Sequence, residues 1–124
     1  MISVIDYLKG REVNHPITVE MATNMADLLS RVNYLFGRLN LRAAVSSGYR
    51  PAEMNNRIKN SAKSSTHTVC KGIDLLDPYG KIGLLLLARQ DLLKECGLWI
   101  ENPVYTKSWV HLDTKERINR VFNP

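Results

Sequence analysis

The sequence predicts an α+β domain, a small and mainly antiparallel sheet with helices packed on one of its faces. Three observations lead there. Met25, Leu28, Leu29, Val32, Leu35, Phe36 and Leu39 recur at helical spacing. Four short runs have the composition and alternation of strands: "AAVSS" at 43–47, "GIDLL" at 72–76, "GLWIE" at 97–101 and "SWVHLD" at 108–113. Finally, the chain of 124 residues has no internal repeat, linker or low-complexity stretch, so residues 1–124 form one domain.

The first long helix is expected to begin near Thr23 or Asn24, either of which can cap it, and to bury its apolar stripe. A short helix is expected over 52–60, directly after Pro51. A second long helix is expected from Lys81 to Cys96, burying Ile82, Leu85, Leu86, Leu92 and Leu93 and stopping at Gly97. "NPVYTK", with Pro103, reads as the hairpin-like connection between the last two strands.

Alternation along the strands sorts the polar residues. Trp109, His111 and Asp113 share one face, with Val110 and Leu112 on the other. Trp99 and Glu101 oppose Leu98 and Ile100, and Asp74 faces away from Ile73 and Leu75. One face is thus core, and the other collects chemically active groups.

Composition excludes several classes. The hydrophobic fraction of 44% and charged fraction of 23% are those of an ordinary globular domain. No signal peptide is visible at the start, and "IGLLLLA" at 82–88 is far shorter than the roughly 20 residues that span a bilayer. Synthesis in the cytoplasm and no membrane partner are therefore expected. Cys70 and Cys96 show no CxxC spacing and read as reduced thiols. The net charge of +5 favours polyanions such as an anionic cell wall, but the basic residues are scattered, so no nucleic-acid partner is expected.

His67, Asp74 and His111 form the informative set. A lone strand histidine such as His111 is usually a hydrogen-bonded structural residue, and His67 alone is no more specific. Asp74, inside an apolar run, must be paired, solvated or metal-bound, because an unpartnered buried charge is costly. Taken together, two imidazoles and a carboxylate leave a coordination position open, as in catalytic zinc sites. Glu101 could then serve as general base. Arg50, on the tight "SGYRP" turn, could grip a substrate carboxylate with its planar fork.

The order "SGYRP", then "STH" with aspartate seven after the histidine, then "WVH", resembles the zinc D-alanyl-D-alanine carboxypeptidase and L-alanyl-D-glutamate endopeptidase family, which has the hedgehog/DD-peptidase fold. The resemblance covers about residues 42–114, and "ENPVYTKSWVHLDT" is similar to small bacteriophage-encoded members. It implies Zn²⁺ on His67, Asp74 and His111, substrate contact at Arg50, support of the site by Ser65, and peptidoglycan stem peptides as substrate. Tyr49 and Trp109 are candidate walls of the groove.

Three positions depart from the family pattern. Ser108 stands three before the last histidine, where many members have the catalytic acid. Glu101 is the expected replacement, and Asp113 the competing base or an orienter of His111. Cys70 stands where glycine is usual, either as a tolerated small side chain or as a thiol that perturbs or replaces a ligand. Gly72 stands where alanine is usual and reads as harmless. Two rival readings stay open: a catalytically inactive wall-binding or phage structural protein, favoured by Ser108, and a non-haem iron enzyme, disfavoured by the spacing from His67 to Asp74.

Overall fold

The computed structural model describes residues 1–58 and 65–124. Helix α1 (Val4–Leu8) opens with a capping box, in which Ser3 and Asp6 satisfy each other's backbone N–H. Helix α2 (Val19–Leu39) begins about a turn earlier than the sequence suggests, because Thr18 accepts the Met21 N–H at 3.1 Å. Thr23 instead bonds back to the Val19 carbonyl, and Asn24 reaches across to Val69. The buried stripe is Met25, Leu28, Leu29, Val32, Leu35 and Phe36, and Asn40 ends the helix in the left-handed region.

Strand β1 (Val45–Ser47) leads through the Gly48–Pro51 turn into α3 (Ala52–Arg57). The last residues of the expected 52–60 helix lie outside the described ones. A 3-10 turn (Thr66–Val69) precedes β2 (Gly72–Leu76). The expected single helix over 81–96 is two, α4 (Lys81–Ala88) and α5 (Gln90–Cys96). The chain breaks at Arg89 (φ −124°), whose carbonyl then accepts the Leu92 N–H and whose guanidinium chelates Asp91. Leu86, Leu92 and Leu93 are buried and Ile82 partly so, but Leu85 faces solvent. Asp77 caps α4, accepting the N–H groups of Ile82 and Gly83.

Strands β3 (Trp99–Glu101), β4 (Trp109–Asp113) and β5 (Val121–Phe122) complete a sheet of order β1-β2-β4-β3-β5 among the described residues. All pairings are antiparallel except β3 with β5, and β5 carried no signal in the sequence. Ile73, Leu75, Val110, Leu112 and Ile100 form one apolar cluster with the α2 and α5 side chains. The small α+β fold and the one-sided helical cover expected from the alternation are therefore present. No helix among the described residues is long and apolar enough to cross a membrane.

The turn at Gly48 is fastened to α1. A Cβ there would lie 2.1 Å from the Tyr7 carbonyl oxygen, which also accepts the Tyr49 N–H. Gly37, in α2, has nothing within 4 Å of an added Cβ. Gly48→Ala is accordingly expected to cost about 2 kcal/mol or more in chemical denaturation. Gly37→Ala is expected to be neutral or stabilising by up to about 1 kcal/mol.

Candidate metal centre

The β2–β4 pairing sets Asp74 directly opposite His111, both on the face away from the apolar cluster. Asp74 Oδ1 lies 2.8 Å from His111 Nδ1, and Asp74 Oδ2 lies 3.3 Å from His67 Nε2. His67 comes from the 3-10 turn, whose start Ser65 caps by accepting the His67 N–H at 3.2 Å. The two imidazole rings stand 5.2 Å apart. One ligand atom from each of His67, Asp74 and His111 falls within 4.8 Å of the others, so this group could hold a metal ion.

Each imidazole is also held from its far side. His67 Nδ1 sits 2.7 Å from the Gly48 carbonyl, which can only accept, so Nδ1 donates and Nε2 is left to face Asp74. This is a task of the "SGYRP" turn that the sequence did not reveal. His111 Nε2 lies 2.7 Å from Asp113 Oδ2. The residues therefore suit zinc, with two imidazole nitrogens and a carboxylate converging while neighbouring acceptors fix both rings.

Burial opposes charge on His111, but hydrogen bonds to Asp113 and Asp74 outweigh it and push its pKa up to about 9. Burial likewise opposes ionisation of Asp74, and the two histidines overcome it, holding the carboxyl below its ordinary range. Asp113 is fully buried and is also lowered, through His111 and Arg117. Both of its oxygens are occupied: Oδ2 by His111 Nε2 and Arg117 Nη2, Oδ1 by Arg117 Nη1 and the Lys115 N–H.

Glu101 is half-buried on β3, and carrying the β3–β4 register one residue beyond Ile100↔Leu112 brings it level with His111. Its pKa is raised, first by burial and further by the charges of Asp74 and Asp113, with His111 and Arg117 pulling the other way. Arg50 is partly buried, its enclosed Nε has no hydrogen-bond partner among the described residues, and its backbone N–H donates to the His67 carbonyl. Trp109 is partly exposed at the start of β4.

Tyr49, a candidate groove wall in the sequence, is held from below by distant partners. It is 3% exposed, packs in the core and donates its hydroxyl to the His15 carbonyl. Cys70 closes the 3-10 turn at φ 61°, which explains why glycine suits this position. Its thiol is buried in the core and pushed up to about 11 by that burial, so it behaves as packing. Gly72 is more than harmless. A Cβ there would meet Thr66 Oγ1 at 2.2 Å and His111 Cε1 at 3.0 Å.

The charged form of His111 stabilises the metal-free fold fully below its ordinary pKa, and that contribution fades as pH rises through about 9. A metal ion must displace this proton. Zinc affinity is therefore expected to rise about tenfold per pH unit between pH 6 and 8, with about one proton released per ion in weakly buffered calorimetry.

A protein-family model described as Peptidase M15 matches residues 6–113. No curated protein and no solved structure matches the chain.

Proposed function

Since the chain belongs to the M15 peptidase family, we propose that it is a zinc peptidase cleaving bonds of the peptidoglycan stem peptide. The observation that carries the reading is the convergence of His67, Asp74 and His111 on one point, with the outer nitrogens of both rings engaged by Gly48 and Asp113. Those three side chains would hold the ion through His67 Nε2, an Asp74 oxygen and His111 Nδ1. When bound, zinc acidifies water and polarises a carbonyl.

The chain's own groups supply the rest. Glu101 takes a proton from the attacking water and gives it to the leaving amine, a task its raised pKa favours. Asp113 has no free oxygen for that work and instead keeps His111 in one orientation. Arg50, whose Nε has no partner among the described residues, binds a carboxylate of the peptide and fixes its register. Ser65 acts through the backbone of His67 rather than on substrate, and Trp109 offers an aromatic wall to the groove. The net charge of +5 would help hold the protein on an anionic wall after delivery or release.

Ser108, exposed at the position of the usual acid, favours one other reading: a wall-binding or phage structural protein that retains the fold without turnover. One set of proteins separates the two. The parent and Glu101→Gln are expected to carry near-stoichiometric zinc by mass spectrometry, and His67→Ala to carry little. Muropeptide cleavage is expected in the parent alone, with Glu101→Gln down by about 10²–10⁴-fold. Zinc without cleavage of any muropeptide would favour the binder, and a parent that takes up no zinc would overturn the peptidase reading.

A further inference from the structure

The family match ends at Asp113, yet residues 114–124 return to the centre. β5 lies parallel to β3, pairing Ile100 with Val121 and Glu101 with Phe122. Trp99 Nε1 donates to the Arg117 carbonyl at 3.0 Å. Arg120 donates to the Leu98 carbonyl at 3.0 Å and stacks 4.2 Å above the Trp99 ring. The segment is thus fastened at several points, and it brings one side chain to Asp113 and another to His111.

Arg117 is the first. Its Nη1 reaches Asp113 Oδ1 at 2.6 Å and its Nη2 reaches Oδ2 at 3.1 Å, a forked grip on a carboxylate with no solvent exposure. Phe122 is the second. Its ring meets the His111 ring edge-on (centroids 6.0 Å apart, planes at 89°) and carries the Arg117 guanidinium 3.5 Å above it. Arg117, Phe122, Asp113 and His111 therefore form a closed circuit of contacts.

We propose that Arg117 and Phe122 are positioning residues for the metal, forming a clamp through which the C-terminal segment sets the orientation of His111. The physical reason is directional. An arginine does not give up its proton, so the buried Asp113 remains an anion that can only accept. Its partner His111 Nε2 must then donate, and the lone pair available to a metal is the one at Nδ1, facing Asp74. Phe122 blocks rotation of the ring out of that geometry. The inference rests on His111 being a ligand.

The test titrates the full-length parent, Arg117→Ala, Arg117→Lys and Phe122→Leu with zinc against a chromophoric chelator. Visible spectra of the cobalt(II)-loaded forms and melting of the metal-free forms are recorded alongside. Arg117→Ala is expected to weaken zinc binding about ten- to a hundred-fold and to alter the cobalt spectrum, with Arg117→Lys recovering part of both. A lower melting temperature with parental affinity and spectrum would make Arg117 a structural prop only, and would overturn the clamp while leaving the metal centre standing. No zinc in the parent would overturn the metal centre and the clamp together. Should Arg117→Ala fail to fold, Arg117→Lys and Phe122→Leu decide: weakened binding in either supports the clamp, and parental binding in both overturns it.

Discussion

The pairing of β2 with β4 in the register that sets Asp74 opposite His111 is the constraint on which the centre depends. Side chains alternate across a strand, so a slip of one residue would turn Asp74 into the apolar cluster and expose Ile73 and Leu75. The core holds the register from below, since Ile73, Leu75 and Leu112 have no solvent exposure and Val110 has almost none. The same hydrophobic burial that folds the domain thereby fixes a carboxylate oxygen 2.8 Å from an imidazole nitrogen. His67 arrives separately, on a turn tied to Gly48, and joins a geometry the strands have already set.

Charge organisation follows from this placement. Two carboxylates, Asp74 and Asp113, flank one imidazole, and neither is left uncompensated. Asp113 is paired with Arg117, and Asp74 lies between the two histidines. Buried ions are tolerated only when their remaining lone pairs are satisfied. A divalent cation taking the place of the His111 proton at Asp74 would leave that carboxylate compensated, because a positive charge would still face it. Arg117 lies outside this exchange and keeps Asp113 compensated in either state.

What could be read from the sequence, and what could not, divides along physical lines. The bounds of β2 match the expectation at 72–76, because a polar residue inside an apolar alternation is a local signal. Asp74 is legible for the same reason, whereas His67 and His111 gain meaning only as a set with it and through the order of the motifs along the chain. The start of α2 was misplaced because Thr18 and Thr23 are equally good caps by type, and only the fold selects between them. The break at Arg89 has no glycine or proline to announce it. Arg117, Phe122 and the two-residue β5 were invisible because a cation stacked on a ring and a parallel pairing leave no periodicity in the chain. The packing of Tyr49 was likewise decided by distant partners: the Tyr7 carbonyl, reached through the backbone, and the His15 carbonyl, reached through the hydroxyl.

The crowding at Gly72 has a further consequence. Thr66 Oγ1 occupies the space that a side chain at position 72 would need, and the His111 ring borders the same space. Positions 66 and 72 are therefore not free to vary independently, although five residues lie between them. A lineage moving from glycine to alanine at 72 needs room at 66 first, because the new methyl group would otherwise meet the Thr66 hydroxyl beside the His111 ring; the opposite change, alanine to glycine, needs no such preparation. The order of substitution, and not only the final pair, decides which sequences this centre can pass through in its evolution.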